Sequence, residues 1–173
     1  KDMIDFHMSS YPESTNPEVL NMLNVKYAIE VNRNGQEQVS NNPEANGNAW
    51  FVEHLRPVES PYEEIKALDT LKTKTMAVYV GKMDMNFQKD STAFIKLTDY
   101  KLNHLVYEFE AKSDQFAVFS EIYYKDGWNA YVDGNKTSIY QVNYILRGIN
   151  IPAGEHGIEF KFEPKVIQTG TTI

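Results

Sequence analysis

Residues 116–136 read FAVFSEIYYKDGWNAYVDGNK, and the punctuation of this stretch decides the fold. Phe116 to Tyr124 is apolar on both alternating faces, as expected of a central strand covered on both sides. A turn follows at Lys125-Asp126-Gly127, then a short strand from Trp128 to Val132, then a tight turn at Asp133-Gly134. Asp-Gly between apolar runs signals a hairpin, because glycine takes a positive φ without steric cost. Phe119, Tyr123, Tyr124, Trp128 and Tyr131 add the aromatic content that suits strands.

Downstream, Val142, Tyr144 and Leu146 alternate with Asn143, Ile145 and Arg147. After a turn at Pro152-Ala153-Gly154, His156, Ile158, Phe160 and Phe162 alternate with polar residues until Pro164. Upstream, Phe94 to Tyr100 and the alternating run Leu105, Tyr107, Phe109, Ala111 predict two more strands. Short strands punctuated by turn residues point to a mainly β chain, an antiparallel sandwich of jelly-roll type.

The first half is mixed. Asn16-Pro17-Glu18 is a helix start, with Val19, Leu20 and Leu23 on one face and Asn24 as the stop. Val25 to Val31 and Ala49 to Leu55 predict strands, and the Asn-rich segment from Asn32 to Asn48 predicts a loop with a turn at Asn34-Gly35. Ser60-Pro61-Tyr62-Glu63 is a capping box, followed by an apolar stripe of Tyr62, Ile65, Leu68 and Leu71. Met76 to Val80 predicts a strand and Gly81 to Ser91 a polar connection. Lys1 to Ser14 predicts a loop or an edge segment. The expected organisation is a helix-and-strand portion, residues 1–92, packed on a strand-rich portion, residues 93–173, in one compact domain.

Composition narrows the function. A chain of 173 residues with 42% hydrophobic and 24% charged residues has the make-up of a folded domain with a sizeable core. A net charge of −7 argues against nucleic acid and against an anionic membrane surface. There is no cysteine, hence no disulfide or thiolate metal site. No apolar run reaches the roughly 18 residues needed to span a bilayer. The chain opens on Lys1 rather than Met, and we read it as a piece of a longer protein.

No catalytic constellation emerges. His7, His54, His104 and His156 lack metal-ligand spacing, and His156 reads as a packing residue. Glu63 and Glu64 point about 100° apart on a helix, so one is expected to cap and the other to be solvated. Asp126 and Asp133 are turn residues first; as a pair flanking a sugar they would suit glycoside hydrolysis. Ser120 lacks the elbow of a nucleophilic serine. Asn135-Lys136-Thr137 matches the N-glycosylation triplet, relevant only in a eukaryotic secretory setting. Catalytic residues, metal and cofactor are all expected to be none.

Trp50, Trp128 and tyrosines such as Tyr131 admit two readings: a platform on which sugar rings stack, or core and cross-strand pairs. Arg147, in an apolar strand, needs a partner if buried, and Glu121 or Asp133 would supply it as a structural ion pair. Trp128, Tyr131, Trp50 and Arg147 are therefore the candidate glycan-binding residues.

FSEIYYKDGWNAYVDG (119–134), VNYILRGINIPAGEH (142–156) and IEFKFEP (158–164) together resemble the C-terminal soluble region of YfhO-family bacterial membrane proteins. LNVKYAI (23–29), NAWFV (48–52) and EEIKAL (63–68) extend the resemblance upstream in the same order, and EIYYKDGW is worded like the Bacteroidetes branch. The resemblance implies a multi-pass parent of GT-C-like glycosyltransferase architecture, which in Gram-positive members is associated with glycosylating cell-envelope polymers from lipid-linked sugars. It places this region on the extracytoplasmic, periplasmic side of the cytoplasmic membrane, with a membrane helix following about where Gly170 to Ile173 lie. No family catalytic residue falls here. The expected role is that of a non-catalytic accessory domain that binds or positions an envelope glycan, a lipid-linked sugar or the parent's own transmembrane region. A carbohydrate-binding module of a secreted enzyme, with a line of exposed rings and a structural Ca²⁺, is the alternative; a glycoside hydrolase is the third reading.

Overall fold

The computed structural model describes residues 16–32, 34–83 and 87–164, except for the side chain of Glu30; the predictions for Lys1 to Ser14 and for the last residues fall outside this range. Two antiparallel sheets carry the fold. The elements of the first half are α1 (Pro17–Met22), β1 (Tyr27–Val31), β2 (Glu37–Asn41), β3 (Ala49–Val52), β4 (His54–Val58), α2 (Pro61–Ala67) and β5 (Met76–Val80). Those of the second are β6 (Phe94–Lys101), β7 (His104–Ala111), β8 (Gln115–Ile122), β9 (Trp128–Val132), β10 (Asn135–Thr137), β11 (Tyr140–Val142), β12 (Leu146–Ile151) and β13 (Gly154–Phe162).

One sheet has the order β10-β9-β13-β7-β6 and the other β11-β12-β8-β3. The last long strands change sheet in turn, β8 to β9 to β12 to β13, which is how a jelly-roll-type sandwich is wound. Leu105, Tyr107 and Phe109 of one sheet meet Ala117, Phe119, Ile149 and Ile151 of the other, and Ile158 and Phe160 complete this core. Tyr107, Phe119 and Phe160 pack edge to face, with ring centroids 4.8–6.1 Å apart.

The four-stranded sheet is covered on its other face too. There Phe116, Val118, Trp50, Val52 and Leu146 pack against Met22 of α1, Ile65, Leu68 and Leu71 of the α2 region, and Ala77 to Tyr79 of β5. The molecule thus has three layers, and β8 lies in the middle one. That is why β8 is apolar on both faces, as its sequence predicts. It also explains one correction. The Asp126-Gly127 turn does not close a hairpin, because β3 and β12 already occupy both edges of β8. β9 therefore crosses to the other sheet and pairs with β13. The Asp133-Gly134 turn is a two-residue hairpin as predicted, with Val132 facing Asn135 and both turn residues at positive φ (49° and 79°).

Other departures have local causes. The Asn-rich loop contains a strand, β2, which zips onto β1 from Glu37–Val31 to Asn41–Tyr27, with Asn32 accepting from the N–H groups of Asn34 and Gln36 to close the turn. The Ala49 to Leu55 strand breaks at Glu53: β3 joins β8, whereas β4 runs parallel to β5, with α2 as the crossover. Tyr62 stays 63% exposed, so the buried stripe of α2 begins at Ile65. The capping box is half formed: Ser60 accepts from the Glu63 N–H, but Glu63 accepts from Glu59 rather than from Ser60. The alternation through Val142 to Arg147 is a turn, not one strand, since Asn143 and Tyr144 have φ of 49° and 72° and Val142 pairs with Leu146.

Among the described residues no helix is long and apolar enough to cross a membrane.

Candidate functional site

The stretch that decides the fold also builds a cleft. Leaving β8, the chain passes through Tyr123, Tyr124 and Lys125, turns at Asp126-Gly127 and enters β9 at Trp128. Gly127 has a φ of 126°, and a Cβ there would lie 2.6 Å from the Phe162 ring. Its carbonyl accepts from the Glu163 N–H at 2.6 Å, which fastens the loop to the end of β13. Only glycine meets both conditions.

Two adjoining cavities flank this loop. One, of about 420 Å³, is lined by Tyr123, Tyr124, Lys125, Trp128, Lys136 and Thr137 among others. The second, of about 680 Å³, shares Tyr124, Lys125, Asn129 and Lys136 and adds Asp126, Tyr131, Phe162 and Glu163. Amphipathic rings beside amide, hydroxyl and ammonium donors are the usual equipment for holding a polar organic ring.

Trp128 closes the end of the sandwich core. Its ring lies 5.4 Å from that of Phe162, and the Arg147 guanidinium stands 4.2 Å from its centroid. Arg147 is buried, donates from Nε to the Ile122 carbonyl at 3.0 Å, and lies 5.4 Å from the Phe160 ring. Burial lowers its pKa; the charge of Glu121 opposes that fall, while burial raises Glu121 itself. The expected ion pair is therefore replaced: among the described residues no carboxylate lies within 4 Å of Arg147, and the ring stack and a backbone carbonyl take its place. Asp133 is engaged elsewhere, with the His156 Nδ1 at 2.6 Å and the Gly157 N–H at 2.9 Å. That contact adds a carboxylate to the packing role expected of His156, which stacks on Phe109.

Tyr131 donates its hydroxyl to Glu163 at 2.7 Å, and Asn129 donates its amide to the same oxygen at 2.8 Å. These two bonds, Tyr131's first, hold the Glu163 carboxyl below its ordinary range. Lys161 lies over the outer Tyr131 ring at 5.1 Å.

Of the four candidate residues, Trp128 and Tyr131 line the cavities, Arg147 supports Trp128 from inside, and Trp50 is elsewhere. Trp50 is 4% exposed in the second core and donates its indole N–H to the Thr73 carbonyl at 2.8 Å. Sequence reasoning passed over Tyr123, Tyr124, Lys125 and Lys136 as individual site residues. Their signal was present, as an aromatic pair and a lysine just before a glycine turn.

The remaining candidates have structural roles. Ser120 donates to the Met22 and Gly47 carbonyls, tying α1 and its loop to β8. Glu64 is not solvated as predicted: it is 2% exposed, faces the β11–β12 turn, and accepts from the Tyr144 N–H at 2.9 Å. Burial raises its carboxyl to about 7, against the pull of that hydrogen bond. Among the described residues no group of three or more His, Asp or Glu side chains converges in a way that would hold a metal ion.

Residues 69–173 match the family described as bacterial membrane protein YfhO. The chain belongs to the YfhO family. The matched region runs from the end of α2 through β13, so it contains both cavities and every strand of the five-stranded sheet. No curated protein and no solved structure matches the chain. As a YfhO-family chain it is associated with a bacterial membrane.

Proposed function

We propose that this region is a non-catalytic accessory domain of a YfhO-family membrane protein, and that it holds an envelope glycan in the cleft around the Tyr123–Trp128 loop. The observation that carries the reading is the lining of the two cavities: Tyr123, Tyr124, Trp128 and Tyr131 beside Asn129, Lys125 and Lys136. Rings of this kind give sugar faces an apolar surface, while their neighbours bond the hydroxyls. The domain lies on the extracytoplasmic side, where such glycans are assembled, and the lipid-linked sugar chemistry belongs to the parent's membrane part.

Glu163 argues for binding over hydrolysis. A glycosidic general acid needs a raised pKa, whereas Tyr131 and Asn129 keep Glu163 ionised. Family membership favours a membrane-bound parent over a secreted enzyme carrying this domain as a module.

Titration of the chain with envelope oligosaccharides, followed by tryptophan fluorescence and amide NMR shifts, tests the proposal. Shifts centred on residues 123–137, and their loss in Trp128→Ala, are expected. Shifts absent for every envelope saccharide would refute it.

Contact with the parent's membrane part has its own support in the β1–β2 hairpin. Tyr27, Ile29, Val31 and Val39 share one face and are each 65–68% exposed. A two-stranded hairpin with one bare apolar face is marginal in water and gains from being covered. Crosslinking from position 29 in the full-length protein should trap the membrane part; crosslinks confined to other proteins would exclude that contact.

A further inference from the structure

We propose that the saccharide taken by this cleft is anionic, its acid group held between Lys125 and Lys136 in the smaller cavity. The inference rests on the glycan-binding reading above and adds the chemical class of the ligand. Acidic residues outnumber basic ones 24 to 17 in this chain, yet the smaller cavity is lined by two lysines and no carboxylate. Among the described residues neither lysine has a carboxylate within 4 Å. Both side chains are exposed, so each ammonium keeps its three donors for a ligand.

The neighbouring groups complete the fit. Thr137, Ser138 and Asn129 supply hydroxyl and amide partners for sugar oxygens, and Tyr123, Tyr124 and Trp128 supply the rings. The larger cavity suits the neutral remainder of the ligand. It contains Asp126 and Glu163, and Glu163 is ionised and committed to Tyr131 and Asn129. Lys125 and Lys136 border both cavities, and Lys136 also helps hold Glu163 low. A second negative group in the larger cavity would meet that carboxylate. The geometry thus orients the saccharide, acid end in the smaller cavity and away from Asp126 and Glu163.

Carboxylate and phosphate share this chemistry, and the test separates them. The 173-residue chain is titrated with methyl glucoside, methyl glucuronide, glucose 1-phosphate and inorganic phosphate, at low and at physiological salt. Either acid sugar should bind at least about tenfold more tightly than the neutral one, and the advantage should shrink as salt screens it. Which acid sugar binds better identifies the source of the charge. Lys125→Ala and Lys136→Ala alter exposed side chains, so the fold should persist while affinity falls to that for the neutral sugar. Equal binding of neutral and acid sugars would overturn the inference and leave the glycan reading standing. Inorganic phosphate binding as tightly as glucose 1-phosphate, with Trp128 unperturbed, would reduce the site to a simple ion site and also overturn it. No binding by any saccharide, envelope oligosaccharides included, would remove both proposals together.

Discussion

Replacing Glu64 by Gln should make the protein more stable at neutral and higher pH, with the gain fading as pH falls toward 4.5. Glu64 is buried beneath the β11–β12 turn, where one backbone N–H, from Tyr144, bonds its Oε1. That turn also carries Asn143, buried, whose side chain accepts from the Val78 N–H and whose own N–H donates to the Val78 carbonyl. The Glu64 carboxyl is raised from 4.5 to about 7 by burial. Because the folded-state value exceeds the unfolded one, the folded state binds the extra proton between these two pH values. Stability is therefore undiminished below about pH 4.5 and falls as pH rises toward 7, reaching its full cost above that. At roughly 1.4 kcal/mol per pH unit, the full cost is about 3 kcal/mol. Gln keeps an oxygen for the Tyr144 N–H and removes the charge. Urea unfolding of both proteins at pH 4.5, 7 and 8.5 isolates this group, since all other titrations cancel in the difference. We expect a difference near zero at pH 4.5 and about 2–3 kcal/mol in favour of Glu64→Gln at pH 8.5. A difference that stays flat across the series would refute the claim that a buried charge is forced on this turn at high pH.

Three further outcomes follow from the geometry. Gly127→Ala should cost about 1–3 kcal/mol in urea unfolding, since the new Cβ meets the Phe162 ring and the φ is unsuited to alanine; an unchanged midpoint would mean the loop is not fastened there. Arg147→Leu should leave stability within about 1–2 kcal/mol, because an apolar residue replaces a buried cation that lacks a carboxylate partner. It should nonetheless shift tryptophan emission, because the guanidinium leaves the Trp128 ring; unaltered emission would contradict the stack. His156 should titrate above its ordinary 6.5 by NMR, owing first to its bond with Asp133, and Asp133→Asn should lower it. The stabilisation from that pair is lost as pH rises through the folded value of His156, and also as pH falls through that of Asp133, whose carboxyl the same bond holds below its ordinary value.

Much of the architecture was legible in residue order. Period-2 alternation in β7 and β13 predicted strands that place Tyr107, Phe109, Ile158 and Phe160 in one core. The Asp133-Gly134 turn was readable because its chemistry is local: both residues must take a positive φ. The Asn-rich segment misled because β2 has all five side chains exposed, so no apolar alternation betrays it. Glu64 misled for the opposite reason, since a helix-surface position says nothing of a distant turn folding over it.

Sequence by itself therefore determined the family, the strand-rich class, the hairpin at 133–134 and the aromatic loop, since each follows from a run of neighbouring residues. Tertiary structure alone decided which sheet each strand joins, that Trp50 is buried while Trp128 lines a cleft, and that Lys125 and Lys136 share a cavity. Those outcomes depend on which edges and faces are already occupied, as when β3 and β12 claim both sides of β8 and send β9 to the other sheet.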